Sequence, residues 1–262
     1  MQITRHFTLL AAVCAFFLGN VRGSEAACPP PGINTVVIDA GHGGHDGGAP
    51  SPDKKVWEKN INLDVAQRLA KKIKAAYPDI EVIMTRDEDV FVPLAERGAI
   101  ANKAEADVFI SIHVNQASNK SAHGFEIWCL GPDNGRNINE IVDFENKSLE
   151  LEGDKSAYGG FDPKDPATFI IASLQSDACL SESLALSADL IASMKKGPVS
   201  LSRGVKQSQK LVVLWKTTMP SVLVEIGFIS NDGDRGVLNT AEGREKIATR
   251  LFYGFQAYKN RD

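Results

Sequence analysis

The chain alternates between short apolar runs and longer segments whose apolar positions recur every three or four residues. Strand-like runs lie at Thr35–Ala40, Glu81–Arg86, Val108–Val114, Gly124–Leu130, Leu211–Trp215 and Ser221–Phe228. They are short, rich in β-branched residues and bounded by turn residues, so they read as buried strands. Between the first two, Trp57 to Ala76 spaces Ile61, Val65, Leu69 and Ile73 four apart, which is one face of an amphipathic helix. Pro93 to Ala106 reads as a second helix, with Pro93 where a first turn tolerates it, and Glu242 to Tyr258 closes the chain with another. Strands alternating with helices predict an α/β fold with a largely parallel central sheet flanked by helices.

One stretch breaks this rhythm. Gly131 to Lys210 opens on acidic, polar sequence, including Glu140, Asp143, Glu145, Glu150, Glu152 and Asp154. A long helical pattern follows, from the Asp165-Pro166 start signal to a basic last turn and stop at Lys195-Lys196-Gly197-Pro198. Residues 131–210 are therefore expected to be a helical insertion. No internal repeat is present.

Composition changes this picture little, because 43% hydrophobic and 24% charged residues describe an ordinary globular chain. A net charge of -4 gives no reason to expect nucleic acid as a partner. The N-terminus changes it more. Arg5 and His6 precede the apolar run Phe7 to Leu18, with small residues at Gly23, Ser24, Ala26 and Ala27. That is the layout of a secretory signal over residues 1–27, too short for a mature membrane span, and it predicts export to a periplasm or cell wall. Cys28 is a candidate lipid anchor, disfavoured because Glu25 stands where a lipobox needs a large apolar residue. A Pro-rich linker, 28–34, leads into the catalytic domain, 35–262. With no appended wall-binding segment in view, targeting is expected from this domain, from Cys28 or from a partner. Removing the signal takes Cys14 and leaves an odd set of Cys28, Cys129 and Cys179. Cys129 and Cys179 read as small buried hydrophobes, and the absence of a CxxC pair argues against a cysteine metal site.

The chemistry concentrates where polar residues interrupt structural patterns. His42 ends the first strand inside Gly41-His42-Gly43-Gly44-His45-Asp46-Gly47-Gly48, a turn with neither the Gly-Lys-Ser/Thr ending of a P-loop nor GxGxxG spacing. Glu58 opens the first helix. His113 lies on the Ser111-His113-Asn115 face of its strand, opposite Val108, Ile110 and Ile112. Glu225 sits within the apolar Ser221–Phe228 run, where an unpaired carboxylate is costly. Taken singly, each has a bland explanation: a hydrogen-bonded core histidine, a first-turn acid on a helix dipole, or a glutamate paired with Arg86 or Arg97. Taken together, they place two imidazoles and a carboxylate at the C-terminal edge of one sheet, the ligand set of a catalytic zinc with an open position. Such a zinc lowers the pKa of a water to about 7, and a further glutamate with raised pKa can relay its proton to a leaving amine.

These residues also carry a resemblance. Val37-Ile38-Asp39-Ala40-Gly41-His42-Gly43-Gly44 with Asp46 and Gly48, Glu58-Lys59-Asn60, Thr85-Arg86, Ser111–Asn115 and Pro220–Asn231 resemble, in order, the zinc-dependent N-acetylmuramoyl-L-alanine amidases of the type 3 catalytic family. The resemblance spans about Thr35 to Tyr258. It implies a mixed sheet flanked by helices, Zn2+ held by His42, Glu58 and His113, and Glu225 as catalytic acid/base. The reaction it implies is hydrolysis of the amide joining N-acetylmuramic acid to L-alanine in peptidoglycan. His45 reads as a rim residue and His123 as structural. In cell-separation members a helical insertion covers the site, and one of its glutamates fills the open zinc position until an activator protein displaces the helix. Glu145 is the residue expected there, with Glu150 or Glu140 as alternates. A peptidase or deacetylase of wall polymers, or a wall-binding module without turnover, are the competing readings.

Overall fold

The computed structural model describes residues 32–134, 138–158 and 166–261, the side chains of 166–178 excepted. The expected signal segment, Cys28 and most of the linker lie outside the described residues. Six strands form one sheet: β1 (Thr35–Ala40), β2 (Glu81–Met84), β3 (Val108–Asn115), β4 (Phe125–Cys129), β5 (Ser202–Gln207) and β6 (Ser221–Phe228), in the order β2-β1-β3-β6-β4-β5. All neighbours are parallel except β4 against β6, so the sheet is mixed and largely parallel.

Side-chain alternation sends each strand into two cores. Val36, Ile38, Ile110, Ile112, Val222 and Val224 meet one core together with three helices: α1 (Glu58–Ala76), α4 (Pro166–Met194) and α7 (Ala241–Lys259). Val37, Phe109, Leu223 and Trp128 meet the other, against α2 (Leu94–Lys103), α3 (Ile138–Glu145) and α5 (Val212–Trp215). Each fully buried Ile or Leu is worth about 1.5–3 kcal/mol, so the Ile61-Val65-Leu69-Ile73 stripe is what fixes α1 on the sheet. The chain leaves β1 for β2 on one side and returns to β3 on the other. That reversal opens a crevice at the strand C-termini, where open α/β sheets hold ligands.

Three expectations need correction. Leu211–Trp215 is not a strand: Leu211 is the N-cap of the short helix α5, and the apolar run packs into the second core. Residues 131–210 are not wholly helical, because Ser202–Gln207 joins the sheet as edge strand β5, parallel to β4. Its one-sided environment needs no apolar alternation, so the pattern did not announce it. Cys179 is half-buried and disulfide-bonded rather than a simple buried hydrophobe. Cys129 is buried and free, and burial pushes its thiol up to about 11, which makes it inert. One further helix, α6 (Asp232–Leu238), was not foreseen, although Asn231 caps it by accepting from the amides of Gly233 and Asp234.

Only the first part of the insertion lies over the sheet edge. The long helix α4 belongs to the first core through Leu186, Leu190 and Met194. The cap consists of α3 and the 3-10 turns Asn146–Leu151 and Ser156–Tyr158.

Beneath the crevice lies a buried ion pair. Arg97 donates to Asp39 Oδ1 at 2.7 Å, and Thr85 and Ser111 hydroxyls each donate to Asp39 at 2.6 Å. Burial raises the Asp39 pKa, but Arg97 and the two hydroxyls outweigh it and hold it below its ordinary value. A depressed carboxyl contributes stability above its unfolded pKa and loses it as pH falls through the folded one. Asp39→Asn leaves Arg97 buried without its counter-ion and is expected to cost about 3–5 kcal/mol at pH 7. In urea unfolding, the gap from the unsubstituted protein should narrow below pH 3.8, the ordinary value from which Asp39 is depressed. An equal gap at pH 7 and pH 3 contradicts this assignment.

Candidate metal centre

His42 stands just beyond β1 in a left-handed conformation, φ 60°, which is unusual for a residue with a side chain. Paired backbone bonds between Gly43 and Asp46, 2.9 and 3.0 Å, close the turn behind it. Arg97 donates to the His42 carbonyl at 2.9 Å and Arg86 to the Gly41 carbonyl at 2.9 Å, so two buried guanidinium groups hold the turn from below. Gly41 is obligatory, because a Cβ there would lie 2.3 Å from the His113 ring.

Four side chains converge: His42, Glu58, His113 and Glu145, with one donor atom from each within 4.8 Å of the others. All four are buried. Glu58 Oε1 lies 3.2 Å from His42 Nε2 and 3.2 Å from His113 Nδ1. Glu145 Oε2 lies 2.7 Å from His113 Nδ1 and 3.6 Å from His42 Nε2. Ligands about 2.0–2.1 Å from a tetrahedral zinc stand about 3.3 Å apart, so this spacing suits one shared ion. Among the described residues, His42 Nε2, His113 Nδ1 and Glu145 Oε2 are buried and lack a hydrogen-bond partner. Buried polar atoms are rarely left so. The donor set fits zinc.

The remaining bonds orient these groups. His42 Nδ1 pairs with Asp46 Oδ2 at 2.8 Å, which leaves Nε2 facing the cluster. Glu58 is fixed by three donors: the Ala49 amide at 2.8 Å, the Val114 amide at 2.9 Å and Asn62 Nδ2 at 3.1 Å. Against burial, Glu58 and Asp46 raise the His42 imidazole to about 10, and Glu145 and Glu58 raise His113 to about 10. Protons and a cation therefore compete for the same imidazole nitrogens. Against its own burial, the hydrogen bonds and charge that face Asp46 from His42 and the Ser148 hydroxyl hold it at about 2.

Glu225 lies beside the cluster, its Cα in register with that of His113. It is fully buried, and among the described residues neither carboxylate oxygen has a hydrogen-bond partner. Burial, then Glu145, Glu58 and Glu126, hold its pKa well above the usual carboxylate range. Neither Arg86 nor Arg97 pairs with it: both are engaged by the His42 turn. A buried carboxyl whose pKa is raised next to an ion site is poised both to take a proton as carboxylate and to give it back as acid.

Of the insertion glutamates, Glu145 joins the cluster, whereas Glu140 and Glu150 are exposed. His45 is exposed and packs on Phe91, ring centroids 4.2 Å apart. His123 is exposed and lines the neighbouring cleft. Sequence reasoning gave no role to Asp46, Asn62 or Ser148, and offered Arg97 only as a partner for Glu225. The spacings His42-Asp46 and Glu58-Asn62, four residues each, were a usable signal for the first two. Nothing local announces Ser148, whose hydroxyl donates to Asp46 at 2.5 Å across 102 residues.

A mixed sheet that offers two histidines, a glutamate and a further acid at its switch point defines an α/β protein with a site that could hold a metal ion. Residues 36–257 match the family model "Amidase_3: N-acetylmuramoyl-L-alanine amidase", and the chain belongs to that family. It is 30% identical over 225 residues to the Haemophilus influenzae "Probable N-acetylmuramoyl-L-alanine amidase AmiB", covering 86% of this chain and 52% of that one. It is 31% identical over 229 residues to the Escherichia coli K12 N-acetylmuramoyl-L-alanine amidase AmiA, covering 87% of this chain and 76% of that one. Thus it spans about half the length of the first of these relatives. Its fold matches the CwlD amidase of Clostridioides difficile, solved in complex with the GerS lipoprotein: TM-score 0.63, 25% identity, 86% of this chain and 98% of that one.

Proposed function

We propose that this chain is an exported, zinc-dependent N-acetylmuramoyl-L-alanine amidase that acts on peptidoglycan in cell separation or wall turnover, and that Glu145 keeps its site blocked at rest. The observation that carries the reading is the group of buried, unpartnered donor atoms on His42 and His113, set around Glu58 with the uncompensated Glu225 beside them. His42, Glu58 and His113 would hold the ion. When bound, zinc supplies Lewis acidity at the scissile carbonyl. Asp46 keeps the His42 ring in the orientation that presents Nε2. Glu225 takes the proton of the attacking water and passes it to the nitrogen of the departing L-alanine. Among the described residues no helix is long and apolar enough to cross a membrane.

The blocking role of Glu145 has structural support on three sides. Asn146 Nδ2 donates to the Lys210 carbonyl at 2.6 Å, and its Oδ1 accepts from the Val212 amide at 3.1 Å. Ser148 bonds Asp46. Glu152 caps α2, whose own N-cap is Pro93: it accepts from the Leu94 amide at 2.9 Å, and the Tyr158 hydroxyl donates to its other oxygen at 2.6 Å. These contacts pin the segment that carries Glu145. A carboxylate seated among the ligands competes with water and substrate for the open position. A partner that peels this segment away would open the site, and the lipoprotein-bound amidase shows that relatives of this fold form complexes.

Glu145→Ala should raise stem-peptide release from purified peptidoglycan by about 10- to 100-fold, as for a blocked state favoured by a few kcal/mol. An unchanged rate removes the blocking role. No release by either protein, with zinc present, removes the hydrolase reading.

A further inference from the structure

Beside the metal cluster runs a cleft of about 1370 Å³, bordered by Glu145 and Phe144 at one end and by Arg203 and Lys206 of β5 further along. Its wall contains a buried carboxylate that stands outside the metal cluster and bears on Glu225 only through its charge. Glu126, 1% exposed, accepts from Asn115 Nδ2 at 2.9 Å, from Trp128 Nε1 at 3.2 Å and from Arg203 Nε at 2.9 Å. The guanidinium of Arg203 also lies over the Phe228 ring, 5.0 Å from its centroid. Arg203 is thus held by its Nε edge and by one face, while its side chain remains 38% exposed. Among the described residues its two Nη groups form no hydrogen bond, and Lys206 has no ion-pair partner.

We infer that Arg203 is a specificity residue that receives a carboxylate of the peptide part of the substrate. This rests on the proposed amidase reading and deepens it. A guanidinium fixed on one edge and one face presents its remaining planar fork in a single orientation, the geometry that binds carboxylate bidentately. Glu126, satisfied by three donors, acts as the clamp that aims it. The position is consistent with a peptide subsite. Glu126 is the antiparallel Cα partner of Glu225, and β5 is the next strand out. Strands lie about 4.8 Å apart, so Arg203 stands about 10 Å from the acid/base, a span that an extended peptide covers in about three residues. A carboxylate on the second or third residue beyond the scissile amide would reach it. Lys206 adds positive charge along the same wall.

The probe is the tripeptide L-alanyl-γ-D-glutamyl-diaminopimelate, compared with the same peptide amidated on its carboxylates, in calorimetric titration of the full chain. The unsubstituted protein should bind the free acid at least tenfold more tightly than the amide. Arg203→Lys keeps the charge but loses the fork, and should reduce that preference to about threefold or less with amide binding unchanged. Because Arg203 also neutralises Glu126, the paired variant Arg203→Gln/Glu126→Gln serves as a second, charge-balanced test and should lose the preference as well. Equal binding of acid and amide by the unsubstituted protein overturns the inference. So does a preference retained in both variants. Peptidoglycan digestion by the zinc-loaded Glu145→Ala protein, alongside these titrations, separates the two readings: release without acid preference overturns only this inference, whereas acid preference without release supports the carboxylate site and overturns the amidase reading.

Discussion

Glu225→Gln is expected to lower the rate of amide hydrolysis by about 10²–10⁴-fold, the contribution usual for a positioned general acid/base. A thousandfold loss corresponds to about 4 kcal/mol of barrier. The amide keeps the volume and approximate polarity of the carboxyl but cannot accept the proton of water or deliver one to an amine. Among the described residues, both oxygens of the buried Glu225 are unpartnered, so no ion pair seen there is lost by the exchange. Removing a buried ionisable group whose charged form burial and three neighbouring acids disfavour is expected to leave stability unchanged or improved. Zinc content should be unaltered, because the three proposed ligands stand on other elements. Full activity in a folded, metal-loaded Glu225→Gln protein would remove its assigned role, and loss of zinc together with activity would make it a ligand instead.

His113→Ala should act the other way round, on the metal first. The ring contributes the Nδ1 atom that faces both Glu58 and Glu145, and it packs where a Cβ at Gly41 would have to go. Orienting partners alone typically command 10–100-fold in metal affinity, so loss of a ligand should exceed about 100-fold. Turnover should fall with zinc occupancy, to a level that saturating zinc restores only in part. The measurement is zinc content after dialysis against a weak chelator, for His113→Ala and Glu225→Gln side by side. Only the histidine variant should lose metal. Glu58 and Glu145 would then face one another with a single imidazole between them, so this variant should also be less stable in the absence of metal.

The site was legible in the sequence to the extent that chemistry interrupted pattern. His113 and Glu225 are polar residues on buried strands, and His42 is a histidine among glycines at a strand end. Burial makes such residues costly without a use, which is why periodicity exposes them. Glu58 was legible as a helix-opening acid, and its convergence with the histidines depends on three backbone and side-chain donors that no local pattern encodes. Most strands and the three amphipathic helices were legible for the same reason, since one buried face imposes a period. Edge strand β5 and the short α5 were not. Ser202–Gln207 has little burial to impose alternation, and Leu211–Trp215 is a run too short for period to distinguish strand from helix. Contacts across long sequence separation, such as Ser148 to Asp46 and Glu152 to the α2 N-terminus, were beyond reach, because their meaning exists only once the cap lies on the crevice.

Whether this centre cuts the muramic acid–alanine amide is settled most directly by the ends it leaves. Purified peptidoglycan digested with the zinc-loaded Glu145→Ala protein, then resolved by mass spectrometry, should yield intact stem peptides with free L-alanine amino termini and glycan strands whose muramic acid keeps its lactyl carboxylate. The Glu225→Gln/Glu145→Ala protein should yield neither. Cleavage within the stem peptide, or loss of acetyl groups from the glycan, would contradict the account.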